Sequence, residues 1–276
     1  MSGASRTLMD GKKDIPVVMV FAGHDPTGGA GIAADIEAAI SMGCHVAPVV
    51  TAVTSQNTHG VIGYTLLDAT LLVEQARPVL EDMSIKAFKI GMVGSIQMAE
   101  ALHTLLRDYP NVPVVLDPVL NAGDGTVLAG QELQEAMVTL LFPLTTVLTP
   151  NSLEARALAS RADTLEACAQ ELMEHGCEFV LITGTHEQTP QVINTLHSNR
   201  RQLESFSWAR LPGSYHGSGC TLSSAIAGLL AQGMEPYSAI REAQEYTWEC
   251  LKYAYRVGAG QLLPNRLFWA RTNEAQ

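Results

Sequence analysis

A glycine-rich turn that carries a thiol, His216-Gly217-Ser218-Gly219-Cys220, runs directly into the small-residue stretch TLSSAIA. Glycines ahead of a helix leave successive N–H groups free, and with the helix dipole these bind an anion without basic side chains. A thiol at such a start is expected to have a lowered pKa, so Cys220 could serve as base or nucleophile. The other four cysteines, Cys44, Cys168, Cys177 and Cys250, read as small buried hydrophobes. A second glycine-rich segment, Gly23-His24-Asp25-Pro26-Thr27-Gly28-Gly29-Ala30-Gly31, lies between a strand pattern and a helix pattern. It lacks the Gly-Lys-Ser/Thr of a P-loop and its spacing misses GxGxxG, so it is either a ligand loop or a tight structural turn. Asp35, on the helix behind it, is of a kind that more often faces solvent.

Two further groups bring oxygen ligands. Thr149-Pro150-Asn151-Ser152-Leu153-Glu154 carries a strand end into a helix, and Asn151 and Glu154, three apart, form a capping-box-like pair. The same two side chains could hold water and a hard cation beside a triphosphate; the pattern alone favours the cap. Asp117 closes VPVVLD and puts a carboxylate at the carboxyl end of a strand, where α/β proteins bind ligands. Asp124-Gly125 reads as a turn.

These groups need a scaffold. Strands are expected over 17–22, 46–53, 87–90, 112–117, 145–149 and 179–183. Helical period runs over 31–42, 70–81, 96–107, 131–140, 152–158, 165–174, 220–231 and 237–255. VVMVFA, VPVVLD and FVLIT are apolar on both faces, as central parallel strands covered by helices must be. The βαβ rhythm predicts an α/β fold with a doubly wound sheet and ligands at the carboxyl ends of its strands. Residues 61–67 form an edge strand or a flap, and 190–196 with 203–208 form a hairpin about Ser198-Asn199-Arg200-Arg201. With no linker, repeat or low-complexity segment, residues 15–276 are expected to form one domain behind a polar tail over 1–14.

Composition narrows the function classes. Net charge is -11, with 17 Lys+Arg against 28 Asp+Glu, so a nucleic-acid or anionic-membrane partner lacks the basic patch it would need. No stretch approaches the roughly 20 apolar residues of a membrane span. The first residues lack the apolar core of a signal peptide. Five scattered cysteines without a CxxC pair imply reduced thiols, and a cytoplasmic location is expected.

Taken together, AGHDPTGGAGIAAD, TAVTSQNTHGV, KIGMVGS, VVLDPV, LTPNSLEA and HGSGCTLSSAIA resemble the hydroxymethylpyrimidine/phosphomethylpyrimidine kinases of thiamine biosynthesis, in the ribokinase-like superfamily. The likeness runs from about residue 17 to 269 and includes LPNRLFWA, similar to short-form members. HGSGCT is the discriminating piece, because related kinases, pyridoxal kinases among them, usually carry Asp at the position of Cys220. The resemblance implies a ribokinase-like three-layer sandwich with a mostly parallel central sheet flanked by helices. It implies ATP and Mg²⁺ as cofactors, a small-molecule pyrimidine as substrate and a homodimer.

Position by position, Gln56 matches the glutamine that hydrogen-bonds the aminopyrimidine, and Gly23, Ala30, Met92 and Val119 match the ring pocket. Asp35 matches an acidic position near that pocket. Asp117, Asn151 and Glu154 match nucleotide-phosphate positions, with Asp117 and Glu154 holding Mg²⁺ through water. Thr183 and Gly184 fall in the nucleotide-contacting turn, and Gly217, Gly219 and Cys220 match the anion hole and its catalytic thiol. Two departures stand out. Thr183-Gly184-Thr185-His186 replaces the common Lys-Gly-Gly-His, and His24 stands where Thr is common. The implied reaction is transfer of the ATP γ-phosphoryl to the pyrimidine's hydroxymethyl oxygen, then to the monophosphate. The rivals are a pyridoxal kinase and a non-catalytic pyrimidine-binding sensor; a dinucleotide-dependent oxidoreductase fails for want of GxGxxG.

Overall fold

The computed structural model describes residues 14–123 and 125–271. The tail expected over 1–14, apart from Asp14, and Asp124 of the expected turn lie outside these residues.

The chain begins β1 (Val17–His24), α1 (Gly31–Ser41), β2 (His45–Asn57), β3 (Gly60–Leu66), α2 (Ala69–Asp82), β4 (Ile85–Ile90) and α3 (Ile96–Arg107). It continues with β5 (Val114–Leu116), α4 (Gln131–Leu140), β6 (Val147–Leu148), α5 (Ser152–Leu158), α6 (Leu165–Glu174) and β7 (Phe179–Ile182). After the hairpin of β8 (Gln191–Ser198) and β9 (Arg201–Ala209) come α7 (Ser218–Ala231), α8 (Pro236–Lys252) and the short α9 (Phe268–Arg271).

β1 shows why helices must cover both faces of the sheet. Val18, Val20 and Ala22 join one core with residues of α1, α7 and α8, whereas Met19 and Phe21 join the other with residues of α2 and α3. Side chains alternate along a strand, so an all-apolar strand is stable only between two layers. The sheet order is β3-β2-β1-β4-β5-β6-β7-β8-β9. The strands from β2 to β7 are parallel, β3 is antiparallel at one edge, and β8 and β9 are antiparallel at the other. Strand order reverses between β1 and β4, and at such a switch point the crevice beyond the carboxyl ends binds ligands.

Several elements depart from the sequence expectation for local reasons. The strands expected over 112–117 and 145–149 shrink to Val114–Leu116 and Val147–Leu148. Pro113, Pro118 and Pro150 lack the ladder donor and release the flanking residues into loops. Residues 61–67 belong to an edge strand paired with β2. The β8–β9 turn places Asn199 and Arg200 at φ 51° and 58°, the pair of left-handed residues that a two-residue hairpin requires. Among the described residues no helix is long and apolar enough to cross a membrane.

Candidate active site

One cleft of about 600 Å³ opens along the carboxyl ends of the strands. At the β2–β1–β4 end, Gly23, Ala30, Gln56, Met92 and Val119 all line it. Met92 packs with Ala52, Leu128, Val119 and Leu66 in a small apolar cluster apart from the two main cores. Thr51 fixes this wall by donating from Oγ1 to Met92 O at 2.7 Å. The result is an apolar slot with one amide, Gln56, that can both donate and accept at a ring edge.

At the β7–β8–β9 end the lining includes Thr183, Asn194, Trp208, Gln244 and Trp248. The two indoles stack with centroids 6.4 Å apart and planes 29° apart, giving the cleft an aromatic wall. Asn194 donates from Nδ2 to Gln244 Oε1 at 2.9 Å and accepts at Oδ1 from Gly184 N at 3.1 Å, which holds three elements in register.

The start of α7 and two carboxylates, Asp117 after β5 and Glu154 after β6, lie along the sheet between these ends. No side chain caps α7; its N-cap is Gly217, and the first backbone bond closes from Thr221 N to Gly217 O at 3.0 Å. The preceding N–H groups therefore face the cleft as anion donors. The Asp117 carboxylate stands beside them, within about 4 Å of where a Gly219 side chain would begin. Burial pushes Asp117 up to about 6, against the pull of Lys89 and with a further push from Asp35. Burial, and then the charge of Asp117, pushes Glu154 up to about 8 despite bonds from Asn151 and Leu120 N–H. Two adjacent carboxylates that resist ionising are poised for a cation.

The cleft offers little other positive charge. Lys89 and Arg210 are the lysine and arginine among its lining residues, and both are engaged. Lys89 is fully buried and pairs with Asp35 Oδ1 at 2.8 Å. Burial opposes its charge, but Asp35 and the groups beyond it outweigh that and hold the ammonium above its usual range. Arg210 donates to the carbonyls of Thr185, Glu187 and Thr189.

Three expectations change here. Cys220 stands at the first turn of α7, but burial pushes its thiol up to about 12, and the carboxylates of Asp117 and Asp35 add to the shift against the pull of Lys89. The helix start does not lower it as the position suggested; the thiol is protonated at neutral pH. Asp35 is not solvated and does not line the cleft. It lies beneath the floor with no exposure, bonded to Lys89 and to Ser224 Oγ at 2.6 Å. Gly184 also lies outside the lining, its N–H spent on Asn194. Asn151 and Glu154 do form the full capping box, with Asn151 N donating to Glu154 Oε2 at 2.9 Å, and both still border the cleft. Cap and site therefore share the same side chains.

Sequence reasoning missed Lys89, Trp208, Trp248, Gln244 and Arg266. Lys89 and Arg266 lie inside the motifs KIGMVGS and LPNRLFWA but were given no role there, and the other three sit in ordinary strand or helix patterns; only contacts between distant segments give each its place. Asp25 and His216 were visible inside motifs, but their contact, across 191 residues, was not.

A family model described as phosphomethylpyrimidine kinase matches residues 25–265. A hydroxymethylpyrimidine/phosphomethylpyrimidine kinase of Streptomyces coelicolor is 34% identical over 253 residues, covering 89% of this chain and 92% of that protein. A chloroplastic thiamine biosynthetic bifunctional enzyme of Arabidopsis thaliana is 33% identical over 281 residues, 99% of this chain and 54% of that protein; the chain spans about half of its length. The crystal structure of phosphomethylpyrimidine kinase from Clostridium difficile 630 superposes with a TM-score of 0.74 at 31% identity, covering 86% of this chain and 100% of that one. Pyridoxal kinase from Staphylococcus aureus in complex with ADP shares the fold, with a TM-score of 0.86 at 22% identity over 94% of this chain and 96% of that one. With its cleft, its helix start and these likenesses taken together, the chain belongs to the phosphomethylpyrimidine kinase family, built on the ribokinase-like α/β sandwich.

Proposed function

We propose that the chain transfers the γ-phosphoryl group of ATP to the hydroxymethyl oxygen of 4-amino-5-hydroxymethyl-2-methylpyrimidine, and then phosphorylates the monophosphate to the pyrophosphate. The observation that carries this reading is the placing of an uncapped, thiol-bearing helix start beside an apolar slot edged by Gln56, within one cleft. The slot takes a flat ring, and Gln56 reads the aminopyrimidine edge. Nucleotide lies toward Thr183, Asn194 and the Trp208–Trp248 wall.

Phosphoryl transfer depends on positioning and on neutralising charge over the equatorial oxygens. Here that work falls to the N–H groups at the start of α7, since Lys89 and Arg210 are engaged elsewhere. Asp117 and Glu154 fit Mg²⁺, because burial and mutual repulsion leave them short of positive charge. Among the described residues no group of three or more His, Cys, Asp or Glu could hold a metal, so water and phosphate oxygens would complete the shell. When bound, Mg²⁺ supplies charge neutralisation between the phosphates. Cys220 enters the reaction protonated and orients the acceptor hydroxyl by hydrogen bonding; as that oxygen bonds phosphorus and the bond to ADP breaks, the hydroxyl proton passes to an oxygen of the transferred phosphoryl group.

The test is to incubate the protein with Mg-ATP and hydroxymethylpyrimidine and resolve mono- and diphosphate products, with pyridoxal as competing alcohol. Preference for pyridoxal overturns the substrate assignment, and saturable pyrimidine binding without ATP consumption supports a sensor instead. In the same assay Cys220→Ala is expected to lower kcat about tenfold to a hundredfold through loss of positioning. Cys220→Ser, which keeps a donor at the same place, should recover most of it. Equal turnover by all three proteins would remove the thiol from the mechanism.

A cytoplasmic location is supported by five free cysteines, four of them buried, which suit a reducing compartment. A homodimer is supported by the edge hairpin of β2 and β3, where Val53, Ile62 and Tyr64 are 46%, 79% and 39% exposed. Light scattering should give twice the chain mass, and Ile62→Lys should give a single chain; a monomeric wild type would refute it.

A further inference from the structure

The first glycine loop and the start of α7 are far apart in sequence, yet four separate contacts tie them together. Asp25 accepts hydrogen bonds from Thr27 N at 2.8 Å, Thr27 Oγ1 at 2.9 Å and Ala30 N at 2.8 Å, which shape the loop, and it also meets His216 Nε2 at 2.8 Å. Arg266, only 1% exposed, donates from Nε to Thr221 Oγ1 at 2.8 Å in the first turn of α7. Its other nitrogens donate to Gly28 O, to Gly29 O and to Glu37 Oε2 at 3.1 Å. Gly29 and Gly217 close the remaining distance. A Cβ on Gly29 would stand 2.4 Å from His216 Cδ2, and a Cβ on Gly217 would stand 2.0 Å from Gly29 O.

We infer that Asp25, His216 and Arg266 are positioning residues for phosphoryl transfer, bracing the acceptor-side loop against the anion-binding helix start so that the two move as one rigid part. The inference rests on the proposed reaction. Gly23 and Ala30, at the ends of this loop, line the cleft on one side, and Gly217 to Cys220 line it at the start of α7. In-line transfer needs the acceptor oxygen at a fixed distance from phosphorus, and an error of about 1 Å can cost about a hundredfold in rate. The brace has the makings of a stiff link. Burial alone would raise the Asp25 carboxyl, but bonds from His216, Thr27 and Ala30 hold it down at about 2, so it stays ionised at working pH.

A brace of this kind also keeps water from the phosphoryl group, because a loop that swings away from α7 opens the space between them. That separates it from a merely structural contact, which on weakening would reduce all activity in proportion to the folded fraction. The experiment compares wild type with Asp25→Asn, His216→Gln and Arg266→Lys, each below its melting transition. Hydrogen exchange on the substrate-free proteins should be faster in residues 27–31 and 217–221 of the variants than in wild type. Pyrimidine phosphorylation should fall about tenfold to a hundredfold in kcat with the KM for Mg-ATP little changed. ATP hydrolysed per pyrimidine phosphorylated should rise several-fold.

Unchanged exchange in both segments overturns the brace. Faster exchange with unchanged kcat and unchanged coupling overturns its role in positioning. Should Arg266→Lys fail to fold, Asp25→Asn and His216→Gln carry the same three readouts. Should wild type phosphorylate no pyrimidine at all, the proposed reaction fails and the positioning role with it, while the exchange measurement still decides whether loop and helix are coupled.

Discussion

Gly217→Ala is expected to lower kcat by at least about a hundredfold and to destabilise the protein by about 2–4 kcal/mol. Two costs combine. Gly217 has φ 83°, a left-handed conformation that residues with a Cβ adopt only at a penalty. The added Cβ would also stand 2.0 Å from Gly29 O, a backbone atom that cannot rotate away. The chain can relieve this only by parting the loop from α7, which displaces the N–H groups that hold the anion. Gly219→Ala is the control, for its Cβ would meet the Asp117 oxygens at 3.7 and 3.8 Å, ordinary contact. Thermal melts and steady-state kinetics on both variants check the contrast; a Gly217→Ala protein with wild-type kcat would falsify the anion-hole assignment.

The second large effect concerns Glu154 and pH. Its folded pKa, about 8, lies above the ordinary 4.5, so the folded state binds a proton that the unfolded chain has released. Stability from that proton is complete below the unfolded value and is lost as pH rises through the folded one. Asp117, raised to about 6, adds to the trend over a lower range. Without nucleotide the melting temperature should therefore fall between about pH 5 and pH 8 from these two groups. If Asp117 and Glu154 hold Mg²⁺ as proposed, they must ionise to do so, and Mg-ATP binding should release protons and tighten with pH across the same window. Glu154→Gln keeps an acceptor for Asn151 N–H and so preserves the cap, but removes the charge. It should flatten the pH dependence and lower kcat/KM for Mg-ATP by tenfold or more, on the order of a lost metal-positioning group. Calorimetric titrations in buffers of differing ionisation heat measure the protons directly. Proton release by Glu154→Gln equal to that of wild type would sink the proposal.

Much of the scaffold was legible because burial writes itself into periodicity. β1 and β7 have to be apolar on both faces, and α1 and α3 repeat at helical spacing, so their limits fall within two residues of expectation. β5 and β6 came out shorter because prolines bound them; Leu116 and Leu148 still ladder, and after them Asp117 N and Thr149 N donate to Ile90 O and Leu116 O at the border of the cleft. The motif residues were legible as chemistry but not as neighbours. Asn151 and Glu154 could be read as cap or as site, and the structure makes them serve as both cap and cleft border. Cys220 could not have been assigned its raised pKa, since that depends on burial near Asp117 and Asp35, which reach it from β5 and α1. Asp35 looked like a solvated helix residue because its partners, Lys89 and Ser224, lie 54 and 189 residues away. Arg266 stood within LPNRLFWA, but nothing local told its partners; its guanidinium reaches Gly28 across 238 residues.

That distance has a consequence for how the molecule comes into being. The nine strands of the described residues are complete by Ala209 and α7 by Ala231, whereas Arg266 follows α8. A domain generally folds as a unit, but synthesis from the N-terminus delivers Arg266 after the sheet and α7. A partly synthesised chain that has already closed its sheet still presents the carbonyls of Gly28 and Gly29 and the Thr221 hydroxyl without their guanidinium. The link between the first loop and the start of α7 is thus the last part of the site to be supplied, after every strand of the sheet.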